Sequence, residues 1–196
     1  MESIKVKVII VISGKRKSGK DFLADNIINT LGSDKCTIIR LSSPIKQHFS
    51  VKYNMELTKM LSSSTYKETI RKEMIAWGEE QRKVDPGVFC RMITEEALLS
   101  QNKVWIVSDA RRLSDVEYFR SYATENNVKC YCVRLFANNE TRTQRNWKFT
   151  SGVDNAESEC GLDTYNQWDF VYSNSTNNNF MGDIKTLCNF ISEKIS

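Results

Sequence analysis

With 196 residues, 40% of them hydrophobic and 27% charged, the chain suits one soluble α/β domain over 1–196 with a full core, and it has no long apolar run to span a membrane. Its formal charge of +4 is too slight, and its lysines and arginines too dispersed, for a nucleic-acid surface; basic residues gathered by the fold around a small anionic ligand remain compatible with it. Six cysteines (Cys36, Cys90, Cys130, Cys132, Cys160, Cys188) form no C-x-x-C pair and His48 is the sole histidine, which excludes a zinc cluster and reads as reduced, mostly core thiols.

The N-terminal M-E-S-I-K-V-K lacks the apolar core of a signal peptide, so a cytosolic location is expected. Val6 to Ile12 is rich in β-branched residues and reads as a buried strand. It breaks into Gly14-Lys15-Arg16-Lys17-Ser18-Gly19-Lys20, the spacing of a phosphate-binding loop. The two glycines let the backbone curl so that its N–H groups converge on one anion, and Lys20 adds a point charge for the outer phosphates. Phe22, Leu23, Ile27, Ile28 and Leu31, stopped by Gly32, are the apolar stripe of a helix whose positive end faces the same phosphates. Asp21 stands where this motif usually has Ser or Thr; as a hard oxygen donor it is a candidate magnesium ligand.

Thr37 to Leu41 reads as a second strand, with Arg40 at the end where open α/β sheets bind ligands; a surface ion pair is an equal reading of Arg40. Ser42-Ser43-Pro44 opens a helix. Thr65-Tyr-Lys-Glu68 has capping-box spacing, and the helix it starts carries Lys67 and Arg71 on one face and Arg82 further along, with Arg91 in the next helix.

Lys103 to Asp109 is a third strand ending in an acid, the form of a Walker B strand whose Asp109 reaches magnesium or its water shell. Arg111 and Arg112 follow, two guanidinium forks suited to phosphate oxygens. A helix is expected from Ser114 or Asp115, a fourth strand over Val128 to Phe136 with Arg134 near its exit, and a short last strand over Trp168 to Tyr172 ended by Ser173-Asn174. Between them, residues 138–163 carry Arg142 and Arg145 in a polar, glycine-punctuated stretch with little apolar surface to hold it down, the mark of a mobile lid that stands open until ligands arrive. Phe180, Ile184, Leu187, Cys188, Ile191 and Ile195 mark a closing amphipathic helix.

Five strands alternating with helices behind a phosphate loop give a three-layer α/β fold with a parallel sheet. No N-K-x-D motif reads guanine, and no histidine is placed to serve as a base. A kinase acting on an alcohol needs such a base; one acting on a phosphate does not, because a monoester with a second pKa near ~6 is already largely dianionic at neutral pH. That acceptor instead demands cations around two anions, and Lys67, Arg71, Arg82, Arg91, Arg111, Arg112, Arg134, Arg142 and Arg145 supply them.

The segments S-G-K-R-K-S-G-K-D-F (13–22), R-L-S-x-P-x-K (40–46), S-T-Y-K-E (64–68), W-G-E-E (77–80), D-P-G-x-F-C-R (85–91), S-D-x-R-R-x-S-D (108–115) and G-V-D-x-A-E-S-E-C-G-L-D (152–163) resemble animal-type phosphomevalonate kinases over nearly the whole chain, Asp21 included. The resemblance implies a nucleoside-monophosphate-kinase-like fold, ATP and magnesium, a monomer, a closing lid, and phosphoryl transfer from ATP to 5-phosphomevalonate. By position it implies ATP binding by the loop from Lys15 to Asp21 and by Arg145. It implies substrate-contacting or catalytic roles for Lys46, Lys67, Arg71, Arg82, Arg91, Arg111, Arg112, Arg134 and Arg142, beside Lys17 and Lys20 of the loop, and substrate binding by Asn174. The chain's E-K-I-S ending departs from the peroxisomal tripeptide common in the family. Other small-molecule kinases of this fold, acting on nucleoside monophosphates or dephospho-coenzyme A, and a nucleotide-binding module without turnover are the rival readings.

Overall fold

The computed structural model describes residues 6–56, 65–175 and 179–196, and for 65–69 the backbone alone; the side chains of the Thr65–Glu68 capping box, Lys67 among them, lie outside the described residues. Five strands, β1 (Val8–Ser13), β2 (Cys36–Ile39), β3 (Val104–Ala110), β4 (Lys129–Phe136) and β5 (Phe170–Ser173), form one parallel sheet in the order β2-β3-β1-β4-β5. Sheets of this kind are covered on both faces, and the central β1 is buried along its whole length.

The pleat of β1 divides the core. Val8, Ile10 and Ile12 point to one face, where α1 (Lys20–Leu31) brings Leu23 and Ile27 and the C-terminal helix (Phe180–Ile195) brings Ile184, Leu187 and Ile191. Ile9 and Val11 point to the other, against Cys90 and Ile93 and against Val116 and Phe119 of two further helices. The helices after β2 are α2 (Ser43–Lys52), α3 (Thr65–Val84) and α4 (Val88–Leu98); α5 (Leu113–Glu125) follows β3, α6 (Asn139–Gln144) and α7 (Glu157–Cys160) lie between β4 and β5, and the C-terminal helix is α8. Phe49, Ile70 and Met74, with Trp77 against them, form a smaller apolar cluster where α2 meets α3.

Two boundaries depart from the sequence expectation for the same physical reason. β2 stops at Ile39 because the N–H groups of Leu41 and Ser42 turn to the Asp109 carboxylate (2.7 and 3.1 Å) and leave the ladder. Helix α5 begins at Leu113, ahead of Ser114 and Asp115, and Asp115 uses its carboxylate to accept the N–H groups of Arg111 (2.9 Å) and Arg112 (3.1 Å). In both places an acid, Asp109 half-buried and Asp115 fully buried, satisfies backbone donors at the C-terminal edge of the sheet. Among the described residues no helix is long and apolar enough to cross a membrane.

Candidate active site

The register sets Ser13 level with Ala110 of β3 and Arg134 of β4, so the loop that follows β1 emerges between their ends. Gly14 passes so close to the Leu135 carbonyl that a Cβ would collide with it. Gly19 has φ +99° and packs against the Asn174 side chain, and Lys17 also adopts a left-handed φ of 62°. These turns deliver the chain to α1, whose first turn has no side-chain cap and so leaves its N–H groups to an anion. The buried Lys20 ammonium donates to the carbonyls of Gly14 and Lys15. Burial first, and then the Arg111 charge, push it from 10.5 down to about 7.

Beside the loop opens a cleft of about 740 Å³. The residues that the sequence spreads over nearly a hundred positions meet in its walls: Arg16, Lys17, Lys20, Arg40, Lys46, Arg71, Arg82, Arg111 and Arg112. Three carboxylates, Asp21, Asp109 and Glu159, line the cleft with these nine basic side chains, and three further acids, Asp115, Glu79 and Asp154, pair with Arg82, Arg112 and Arg16. Arg40 thus belongs to the cleft wall. Arg82 is buried against the Phe89 ring (4.6 Å) with Asp115 as counter-charge (3.5 Å). Arg112 pairs with Glu79, and Arg111 with Glu159. Burial lowers the Lys46 ammonium, with Asp109 opposing it.

Other residues named from the sequence sit elsewhere. Arg91 is half-exposed, pairs with Asp85 at the α3–α4 turn and does not line the cleft. Lys15 and Arg134 line a second cavity of about 360 Å³, together with Ser18 and Arg142. There Arg134 donates to Ser13 Oγ and Asp163 (both 3.0 Å), with the rings of Phe136 and Trp168 within 5.5 Å. Asn174 and Arg145 clasp the phosphate loop from outside: Asn174 Nδ2 donates to the Ser18 carbonyl (2.9 Å), and Arg145 to the carbonyls of Lys17 and Ser18 (3.1 Å each) and to Asn174.

The stretch 138–163, expected to have little apolar surface to hold it down, is tied to the phosphate loop by its polar side chains. Val153 and Leu162 are buried, Arg142 has an acid of the same stretch beside it, and Arg145 donates to carbonyl oxygens of the phosphate loop and to Asn174. Asp154 meets Arg16 (3.0 Å) and approaches Arg142 (3.8 Å), Asp163 meets Lys15 (2.6 Å), and Glu159 takes the Arg16 N–H (2.8 Å). Asp154, Glu159, Asp163, Asp115 and Glu79 are the site residues that sequence reasoning passed over. All five stand inside the quoted motifs, where they read as polar surface, since their cationic partners are adjacent only in the fold.

A sequence model described as phosphomevalonate kinase matches residues 12–125. A phosphomevalonate kinase of Drosophila melanogaster is 44% identical over 157 residues, covering 79% of this chain and 81% of that one. Among solved structures, an APS kinase of Mycobacterium tuberculosis in complex with AMPPNP and APS aligns over 96% of this chain and 98% of its own, with TM-score 0.53 at 12% identity. A Thermus thermophilus protein aligns over 98% and 100%, with TM-score 0.53 at 14% identity. Those two likenesses concern the fold alone. With a family match over more than half its length and so similar a relative over four-fifths of it, the chain belongs to the phosphomevalonate kinase family.

Proposed function

We propose that this protein transfers the γ-phosphoryl group of ATP to the phosphate of (R)-5-phosphomevalonate, giving 5-diphosphomevalonate and ADP, a step of the mevalonate route to isoprenoids and sterols. The observation that carries this reading is the convergence of nine basic side chains on one cleft beside the phosphate loop. An acceptor dianion and a nucleotide triphosphate repel each other by several kcal/mol unless cations surround both. An oxygen of the acceptor phosphate attacks the γ-phosphorus, the bond to the β,γ-bridging oxygen breaks, and ADP leaves; the acceptor needs no base.

Lys17 and Lys20 hold the outer phosphates of ATP, for which the loop Gly14–Asp21 and Arg145 form the binding site. Arg111 and Arg112 bridge donor and acceptor, Lys46, Arg71 and Arg82 hold phosphomevalonate, and Arg142 answers the charge of the transferring group. Lys67, from the resemblance, joins the acceptor set; Arg91, Arg134 and Asn174 support it from beyond the cleft walls. Magnesium fits the donors present. Asp21 at the head of α1 and Asp109 at the end of β3 both line the cleft, and the Asp109 oxygens that accept backbone N–H groups keep further lone pairs. Among the described residues no three His, Cys, Asp or Glu converge, which suits an ion held by one or two carboxylates together with phosphates and water. Held there with ATP, it would supply neutralisation of phosphate charge. The protein acts as a single-domain monomer in the cytosol, with 138–163 as its lid.

A substrate panel tests the reading: purified protein with ATP and magnesium should release ADP at a rate that depends on phosphomevalonate. AMP, dephospho-coenzyme A and mevalonate should leave the rate at background. Release with one of those acceptors and none with phosphomevalonate would overturn it.

A further inference from the structure

Three acids of the segment 138–163 each join the phosphate loop to an arginine outside that loop. Glu159 accepts the Arg16 N–H and pairs with Arg111; Asp163 pairs with Lys15 and Arg134; Asp154 pairs with Arg16 and approaches Arg142. Asp154 is far more enclosed than Asp163, its side chain 4% exposed against 37%. A carboxylate withdrawn from water to that extent is retained only where its charge and its lone pairs are answered.

They are answered in a particular way. Asp154 Oδ2 accepts from Arg16 Nη1 (3.0 Å) and from the Thr150 N–H (2.8 Å), while Oδ1 accepts the indole N–H of Trp147 (2.9 Å). The indole lies against the Arg142 guanidinium, 3.9 Å from ring centre to the guanidinium carbon, and Arg142 Nε donates to the Arg16 carbonyl (2.9 Å). The contacts therefore close a ring through Arg16, Asp154, Trp147 and Arg142. A neutral amide in place of Asp154 could keep the bonds of one oxygen only, and not the charge that faces two guanidinium groups.

We propose that Asp154 is a positioning residue for phosphoryl transfer: it fixes the indole against which Arg142 stacks and ties Arg142 to Arg16, so that lid and phosphate loop offer their cations to the phosphates of ATP as one unit. The proposal rests on the reaction assigned above. Asp154 itself touches neither substrate. Its effect is to spare the reaction the cost of orienting a flexible guanidinium, and a displacement of about 1 Å in such a group is worth up to ~100-fold in rate.

The test is a double-mutant cycle on kcat with the full-length protein, ATP, magnesium and phosphomevalonate. Asp154→Asn should lower kcat by about 10- to 100-fold and leave the KM for phosphomevalonate within about threefold, since the acceptor's own contacts are intact. In an Arg142→Ala background the same change should cost less than about twofold, because the group it positions is gone. A residue that only held the fold together would cost the same in both backgrounds. Should Asp154→Asn fail to fold, Trp147→Phe removes the indole donor while keeping a ring beneath Arg142, and it should show the same non-additivity with Arg142→Ala. Wild-type turnover with an unaffected kcat in Asp154→Asn, or with fully additive losses in the cycle, overturns the role of Asp154 alone. A wild-type protein without phosphomevalonate-dependent ADP release overturns the reaction and this role together.

Discussion

Asp115→Ala should be among the most destabilising single changes near the cleft. Asp115 is fully buried, and its carboxylate serves four donors: the N–H groups of Arg111 and Arg112 (2.9 and 3.1 Å), Arg82 Nη2 (3.5 Å) and the Cys90 thiol (3.8 Å). Truncation removes the counter-charge of Arg82, itself only 8% exposed, and strands two backbone donors at the start of α5. Breaking a buried pair from one side costs about 3–5 kcal/mol. In a domain of this size each kcal/mol moves Tm by about 2–4 °C, so the melting point should fall by about 6–20 °C. The isosteric Asp115→Asn, which keeps one acceptor and loses the charge, should fall between this variant and wild type. Because Arg111 and Arg112 hang on that carboxylate through their backbone, kcat measured well below the melting point should drop in both variants. Thermal melts followed by circular dichroism, paired with coupled ADP release, check both effects. An alanine variant melting within about 2 °C of wild type would refute the idea that this acid anchors the arginine pair.

Lys20→Ala should lower kcat by orders of magnitude with an unchanged circular dichroism spectrum, since its charge is needed most as charge shifts among the phosphates; near-normal turnover would remove Lys20 from the mechanism. Asp21→Ala should raise the magnesium concentration needed for half-maximal rate, and Asp21→Ser should recover part of the loss, so superimposable magnesium titrations would count against a metal role. Arg111→Lys and Arg112→Lys keep the charge and lose the fork, and should each slow turnover, whereas kinetics equal to wild type would mean that bulk charge suffices. Because burial holds the Lys20 ammonium of the ligand-free protein near about 7 and the unfolded chain protonates it up to 10.5, the unfolded state binds more protons in that window and the Lys20 contribution to stability rises with pH across it. ATP favours the charged form, so calorimetric titrations at pH 8 in buffers of different ionisation enthalpy should show proton uptake on binding, and none would contradict the assignment.

What the sequence made legible was what depends on neighbours along the chain. The β-branched run before Gly14 and the spacing of Gly14, Gly19 and Lys20 are local signals, and strand, loop and helix follow from them within a residue or two. The alternation of such strands with amphipathic helices was enough for a parallel three-layer sheet. The counter-charges were not legible. Asp154 lies 138 residues from Arg16, and Glu159 lies 48 from Arg111; in sequence such acids look like the polar face of any surface loop, and only tertiary packing makes them partners. The same holds for Asp109, read as a metal ligand from the form of its strand, whose oxygens also pin the turn after β2. Residue type and position suggested Arg91 and Arg134, and resemblance alone supplied Asn174, but the wall on which each stands is a matter of packing that position in a motif does not encode.

Phosphorus NMR of a single reaction mixture tests the central claim most directly. With protein, ATP, magnesium and phosphomevalonate, the monoester resonance of the acceptor should decay as paired doublets of a new diphosphate ester grow in step with ADP. Growth of inorganic phosphate with the acceptor resonance unchanged would mean that water takes the phosphoryl group, and it would contradict the assignment of this cleft to transfer between two phosphates.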